Sequence, residues 1–221
     1  LVDVVSIYAG AKVDVDGWGI DLCLTSTQKA FALPPGMAFA AVSPAVLERA
    51  RQVPNRGYYF DVLEIDRHHQ KNNTPATPPI SLMYAADRQL DDMLAEGLEA
   101  RFARHERISR ACKAGIAALG LGQVPLNTAI AAHTMTAPRF PVGISGADLL
   151  PKIAKAGITL AGGLHAAIKN EYFRIGHMGA VTPGDVLATL GAIETALTAC
   201  GHPIESGVAL AAAQKELLPR D

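Results

Sequence analysis

The sequence of 221 residues predicts an α/β fold that continues into a smaller α+β domain. Three short apolar runs, at residues 1–7, 21–25 and 37–42, lack regular polar alternation, which is typical of strands buried on both faces of a mainly parallel sheet. Amphipathic repeats then cover residues 80–119, and strand-like and helix-like segments alternate after them. We therefore expect the end of a large, mainly parallel α/β domain, followed by a C-terminal small domain.

The first domain contains clear helix signals. Ser43 followed by Pro44 predicts the capped start of a helix. Residues 66–79 are polar and then rich in proline, so we expect a loop there. The repeats over residues 80–119 indicate two long helices or one bent helix, which Gly120 ends.

The second domain alternates strands and helices. Strands are predicted near 129–136 and at 158–160 and 172–175, and helices at 145–156 and 183–199. The last helix has Thr182 as its cap and Asp185 three residues later, which resembles a capping box. The predicted domains are residues 1–96, the end of the large domain, and residues 97–221, the small domain.

Composition excludes several classes of protein. A net charge of −1 and an aromatic content of 5% offer nothing to nucleic acid, and no apolar stretch reaches about 18 residues, the length of a membrane span. The separated cysteines Cys23, Cys112 and Cys200 indicate neither a metal site nor a disulfide framework, and favour a reducing, cytoplasmic setting. Because Leu1 already lies in a predicted strand, we expect the chain to be the C-terminal portion of a longer protein.

Lys29 is the first candidate for chemistry. It follows a predicted buried strand and precedes the turn Pro34-Pro35-Gly36. Partial desolvation there would disfavour the ammonium form and make the amine available for imine formation. A lysine in a surface loop is the alternative interpretation.

Asp3 is the second candidate, in an apolar run 26 residues before Lys29. A buried carboxylate is costly unless a cation or a hydrogen bond meets it, and a protonated pyridine nitrogen is such a partner. An aspartate at the end of a strand, facing water or capping a turn, explains the same spacing equally well.

Four motifs together resemble one family. They are Val2-Asp3-Val4-Val5-Ser6, Asp16-Gly17-Trp18-Gly19-Ile20-Asp21, Gln28-Lys29-Ala30 with Pro34-Pro35-Gly36, and Phe173-Arg174-Ile175-Gly176-His177-Met178-Gly179. In order and spacing they resemble the class V aminotransferases that act on alanine or serine with glyoxylate or pyruvate. The resemblance covers essentially the whole chain and implies the type-I fold of transferases that depend on pyridoxal 5′-phosphate (PLP).

The resemblance also implies roles for the residues around the cofactor. Lys29 is the lysine that binds PLP as a Schiff base and then moves the substrate proton. Asp3 pairs with the pyridine nitrogen, Val5 packs beneath the ring from the same strand face, and Gln28 helps to hold the phosphate. Thr77 matches a threonine that reaches the phosphate of a neighbouring subunit, so a homodimer is expected.

Three residues that match the family, Thr77, Arg174 and His177, carry alternatives. Thr77 could also cap the helix that follows, and a shift of the alignment by three residues would put Thr74 in its place. Arg174 matches the arginine that binds the substrate α-carboxylate, for which a planar guanidinium is suited. A structural arginine at a strand edge of the small domain is the alternative. His177 is interpreted as structural, because a lysine already serves as the base.

The sequence departs from the family at two places. Ser26-Thr27 stands where Gly-Ser is frequent, and Ala11-Lys12 where a glycine-rich turn is common. Neither departure removes a predicted catalytic group. We therefore expect transamination of a small amino acid, with an aminophosphonate transaminase or a truncated, non-catalytic module as the competing hypotheses.

Overall fold

The computed structural model describes residues 1–218, which divide into two compact units. The first unit comprises residues 1–8 and 12–96. The second comprises residues 9–11 and the chain from residue 97 onward. Each unit combines helices with a three-stranded sheet, which confirms the predicted α/β class.

The sheet of the first unit contains β1 (Val2–Asp3), β2 (Leu22–Ser26) and β3 (Ala38–Val42), in that order. β1 and β2 run parallel, with Asp3 opposite Leu24, whereas β2 and β3 are antiparallel along their whole length. Among the described residues the sheet therefore has one parallel and one antiparallel pair.

The prediction of a strand over residues 1–7 is wrong beyond Asp3. The Asp3 carboxylate accepts a hydrogen bond from the Val5 backbone N–H at 2.9 Å, and the N–H groups of Ile7 and Tyr8 both donate to the Val4 carbonyl. A short polar side chain that bonds the backbone two residues ahead favours a turn over an extended strand.

The predicted burial of the strands on both faces is also wrong. β2 alternates between half-buried and buried residues, and β3 is largely exposed. No helix among residues 1–218 of this unit covers β3 fully, so its apolar side chains keep their contact with solvent.

The helices of the first unit are α1 (Pro44–Arg51), α2 (Val62–His69) and α3 (Ile80–Glu96). Ser43 caps α1 as predicted, by accepting from the Val46 N–H. The loop predicted over residues 66–79 begins four residues later, because α2 extends to His69. Asp61 caps the start of α2, and within this helix Glu64 pairs with Arg67 and His68 one turn ahead.

The long amphipathic stretch forms two helices, not one bent helix. α3 ends at Glu96, and α4 spans Leu98–Ala118. Gly97, between them, has a φ of +83°, a conformation that glycine adopts at little cost. The alternative of one continuous bent helix is thereby excluded.

The second unit is built on α4. Its further helices are α5 (Gly146–Lys155), α6 (Pro183–Ala199) and α7 (Val208–Leu217), and its sheet has the order β4 (Met135–Thr136), β6 (Phe173–Gly176) and β5 (Ala161–Gly162), all antiparallel. The buried core joins α4, α5, α6, α7 and β6 through Ile108, Ile116, Leu149, Ile153, Phe173, Leu190, Ile193, Leu197, Ala209 and Ala213.

Two predicted strands of this unit differ from the structure. Residues 128–130 form a short 3-10 helix, because the Asn127 side chain accepts from the N–H groups of Ala129 and Ile130, and the strand is confined to β4. The strand predicted at residues 158–160 lies at β5 instead.

The helix ends were predicted more accurately. α6 carries the full capping box of Thr182 and Asp185, and Ser145 with Asp148 forms another at α5. α7 was not predicted, and its start is capped from a distance. The Glu194 carboxylate accepts from the N–H groups of Gly207 and Ala209 at 2.9 and 2.6 Å.

None of the helices formed by residues 1–218 combines the length and apolar character needed to cross a membrane.

Candidate active site

Lys29 lies in a loop that is closed at its base by Thr27. The buried Thr27 hydroxyl donates to the Pro34 carbonyl at 2.7 Å and lies 3.2 Å from the Met37 carbonyl. The Thr27 backbone makes two further bonds, its N–H to Met37 O and its carbonyl to Leu33 N. These bonds fix the two ends of the loop against each other.

The residues after Lys29 anchor the loop from the other side. Ala30 and Phe31 are buried, and the Phe31 ring contacts the rings of Tyr8 and Phe39 at centroid distances of 6.2 and 5.1 Å. Lys29 itself is half-buried. Its Nζ makes no hydrogen bond or ion pair with any residue that the structure describes, so the bonds of the loop fix the Lys29 backbone and leave the amine without a partner there.

Asp3 lies at the same edge of the sheet as the Lys29 loop. β1 ends at Asp3 and β2 ends at Ser26, three residues before Lys29, and the two strands are parallel. The carboxyl ends of parallel strands meet at one edge, which is where α/β sheets bind ligands. The expectation that the Asp3 carboxylate is buried is wrong for the described chain, because Asp3 is exposed and only its Oδ1 has a partner there, the Val5 N–H.

Val5 and Gln28 occupy turns beside these two residues. Val5 is half-buried and lies beyond the end of β1, so the premise that it shares a strand face with Asp3 is wrong. The Asp3 side chain nevertheless bonds its N–H and ties the two together. Gln28 is exposed in the turn immediately before Lys29.

Thr77 is exposed in the same unit and lies outside regular secondary structure before α3. The alternative that it caps this helix is wrong, because α3 begins three residues later, at Ile80. Thr74 is engaged locally, with its hydroxyl donating to the Ala76 carbonyl at 2.7 Å. The hydroxyl of Thr77 thus has no structural role in the helix start.

Arg174 belongs to the second unit. It is half-buried on β6, opposite Ala161 of β5, and its Nε donates to the Gly162 carbonyl at 2.8 Å. Within residues 1–218, its two terminal nitrogens have no hydrogen-bond partner. Two parallel N–H donors are what a carboxylate needs for a bidentate contact.

His177, just beyond β6, lies in the core. Its Nε2 is 2.8 Å from the Thr136 hydroxyl, and its Nδ1 has no partner in the described chain. Burial, helped by the charge of Lys113 nearby, lowers the pKa of His177 to about 4. Burial likewise raises the pKa of Cys112, which bonds Thr136, to about 11. These groups stay neutral near pH 7, in agreement with a structural His177.

The structure thus places five of the six predicted site residues in one unit. Asp3, Val5, Gln28, Lys29 and Thr77 all belong to the first unit, and Arg174 belongs to the second. The role of Thr27 in closing the lysine loop was not predicted. The sequence contains no signal for it, because the Thr27 hydroxyl bonds backbone carbonyls seven and ten residues ahead.

The chemistry of the first unit's side chains fits PLP. Lys29 offers a primary amine for the aldehyde, and Asp3 keeps one carboxylate oxygen without a partner in the described chain for the pyridine nitrogen. The Gln28 amide and the Thr77 hydroxyl supply hydrogen-bond donors of the kind that phosphate oxygens accept. No group of this set conflicts with the cofactor.

Comparison with known proteins gives a consistent result. The profile of the family described as "Aminotransferase class-V" matches residues 1–183. An uncharacterized aminotransferase of Methanocaldococcus jannaschii is 38% identical over 100% of this chain and 57% of its own length. The serine–glyoxylate aminotransferase of Arabidopsis thaliana is 32% identical over 98% of this chain and 54% of its own length.

A solved structure shows the same fold. The pyridoxamine–pyruvate aminotransferase of Mesorhizobium loti superposes with a TM-score of 0.90 and 29% identity, over 98% of this chain and 56% of that one. The type-I architecture predicted from the sequence is thereby confirmed. The chain spans slightly more than half the length of the relatives it matches.

Proposed function

The chain belongs to the class V aminotransferase family, and we propose that the protein transfers the amino group of alanine or serine to glyoxylate or pyruvate with PLP as cofactor. The observation that carries this proposal is the placement of Asp3 and the Lys29 loop at one edge of the parallel strand pair. The two groups that a PLP site requires, an amine and a carboxylate, thereby follow adjacent strands.

The residues of the first unit would hold the cofactor. Lys29 provides the amine for its covalent attachment, Asp3 keeps the ring nitrogen protonated, and Val5 packs beneath the ring. Gln28 would bind the phosphate. When bound, PLP supplies an electron sink for the charge that develops when the substrate Cα loses its proton.

Lys29 would also move the proton. Once the amino group of the substrate has displaced it from the cofactor, its Nζ would take the proton from the substrate Cα and deliver it to the cofactor. The anchors on either side, Thr27 and Phe31, would hold the backbone of the lysine loop in position for this transfer. A fixed geometry of this kind is how proton transfer within a site gains rate.

Arg174 would select the substrate. Its Nε is held by Gly162, and its two terminal nitrogens remain for the α-carboxylate of an amino acid or oxo acid. We propose in addition that residues 1–96 belong to the cofactor-binding domain and residues 97–221 to the small domain that carries this arginine.

We also propose a homodimer in which Thr77 reaches the phosphate held by the other subunit. Its exposure and its freedom from any role in α3 support this. Sedimentation of the active protein at assay concentration is expected to give at least a dimer, and a fully active monomer would contradict the assignment of Thr77.

The experiment that tests the proposed function is a substrate panel on the purified full-length protein. Alanine and serine, each with glyoxylate or pyruvate, are expected to give the highest kcat/KM, with 2-aminoethylphosphonate and aspartate as comparison donors. A preference for the phosphonate would keep the enzyme class and reject the substrate assignment. Absence of turnover with every pair, in protein that has PLP bound, would favour the non-catalytic alternative.

A further inference from the structure

Tyr172 organises the loop that connects β5 to β6. It is 7% exposed, and its hydroxyl oxygen accepts hydrogen bonds from the backbone N–H groups of Leu164 and His165 at 2.9 and 3.2 Å. These two bonds, with a smaller contribution from the charge of Arg174, lower the pKa of Tyr172. A phenol oxygen that accepts twice fixes the path of the loop at consecutive peptide groups.

The loop also fits closely around the Tyr172 ring. A Cβ atom on Gly163 would lie 2.7 Å from Cε1 of that ring and 2.4 Å from the Lys169 carbonyl oxygen. Both distances are too short for a contact between atoms that are not bonded. Only glycine at position 163 therefore lets the loop come this close to the Tyr172 ring. The tyrosine is therefore in contact with the loop through its ring as well as its hydroxyl.

The same loop holds Arg174. The Gly162 carbonyl, immediately before Gly163, accepts the Nε hydrogen bond of Arg174 at 2.8 Å. Tyr172 and Arg174 are two residues apart in extended chain, so their side chains leave the same face. Tyrosine, loop and arginine thus form a continuous chain of contacts within the second unit.

We propose that Tyr172 is a positioning residue for Arg174 and so helps to determine specificity for α-carboxylate substrates. Its hydroxyl holds Leu164 and His165, the loop then presents the Gly162 carbonyl, and that carbonyl fixes Nε so that the two terminal nitrogens meet a carboxylate. This inference rests on the proposed function, because it requires Arg174 to bind the substrate carboxylate.

The test uses the full-length holoenzyme and two fragments of alanine. Propionate keeps the carboxylate and lacks the amino group, whereas ethylamine keeps the amino group and lacks the carboxylate. Tyr172→Phe is expected to raise the inhibition constant of propionate and the KM of alanine about tenfold, since two N–H groups lose their acceptor. The inhibition constant of ethylamine, the PLP content and kcat are expected to stay within about twofold.

Two further variants keep the result interpretable. Gly163→Ala forces the loop away from Tyr172 by a different contact and is expected to cause the same selective loss. Glu171→Gln removes the ion pair with Arg139 at the neighbouring position and is the matched control, with no change expected for either fragment.

Three results would overturn the inference in distinguishable ways. Equal weakening of propionate and ethylamine by Tyr172→Phe would assign the tyrosine a purely structural role. Unchanged propionate binding in Tyr172→Phe, together with weakened binding in Arg174→Lys, would reject the positioning role and leave the proposed function standing. Unchanged propionate binding in Arg174→Lys would remove the carboxylate site itself, and the inference with it.

Discussion

The Thr27 hydroxyl donates to the Pro34 carbonyl oxygen at 2.7 Å, and this bond spans the loop on which Lys29 lies. Thr27 is fully buried, and its hydroxyl oxygen also lies 3.2 Å from the Met37 carbonyl oxygen. A loop closed in this way restrains the backbone from which the Lys29 side chain extends.

Replacing this hydroxyl therefore has a defined expected effect. Thr27→Val removes the hydroxyl that bonds the Pro34 carbonyl, whereas the Met37 carbonyl keeps the Thr27 N–H as a donor, and is expected to lower the free energy of unfolding by about 1–3 kcal/mol. Thr25→Val, two residues earlier on β2, is the matched control, because the buried Thr25 hydroxyl has no partner within residues 1–218. Denaturant unfolding of both variants checks this, and equal effects would show that the loop closure contributes nothing specific.

Replacing Asp3 is predicted to lower the turnover rate much more than the amount of PLP that the protein retains. Asp3→Asn cannot keep the pyridine nitrogen protonated, so turnover is expected to fall on the order of a hundredfold, while PLP content measured by absorbance stays close to wild type. Asp87→Asn, at an exposed position on α3, is the control. Near-normal turnover in Asp3→Asn would make Asp3 the turn-capping residue that its bond to Val5 already shows it to be.

Arg174 is predicted to bind the α-carboxylate in a bidentate manner, which a lysine cannot reproduce. Charge-assisted hydrogen bonds contribute about 1.5–3 kcal/mol each, so Arg174→Lys is expected to raise the KM for alanine or serine about tenfold to a hundredfold. PLP binding and its absorption spectrum should be unaffected. Arg139→Lys provides a control arginine on the same unit, and unchanged amino-acid kinetics in Arg174→Lys would show that the arginine is structural.

His177 is predicted to make stability depend on pH. Its pKa is lowered from 6.5 to about 4, chiefly by burial, so the unfolded chain binds a proton that the folded chain does not. The contribution of His177 to the free energy of unfolding is therefore complete above pH 6.5. It falls by about 3 kcal/mol as the pH is lowered to 4. His177→Gln should reduce that slope in unfolding measurements between pH 4 and 7, whereas His69→Gln, at an exposed site, should leave it unchanged.

Local signals in the sequence were sufficient for some of these features. The ends of α6 and α1 were predictable because Thr182, Asp185 and Ser43 bond backbone groups within three residues. Lys29 and Arg174 stood out through motifs of several adjacent residues.

Other features depend on contacts that no local pattern encodes. The capping of α7 by Glu194 joins residues more than ten positions apart. Tyr172 and Thr27 act through backbone atoms of distant residues, which have no side-chain signature. β1 ends at Asp3, four residues before the predicted end, because the Asp3 side chain bonds the backbone and competes with strand pairing. The apolar residues around Asp3 favour a strand and give no sign of this turn.

The central claim is that Lys29 carries the cofactor, and borohydride reduction of the full-length protein tests it most directly. The protein is expected to be yellow with bound PLP, and reduction followed by proteolysis and mass spectrometry should place the cofactor on the peptide that contains Lys29. An adduct on Lys12, Lys71 or any other lysine would contradict the assignment.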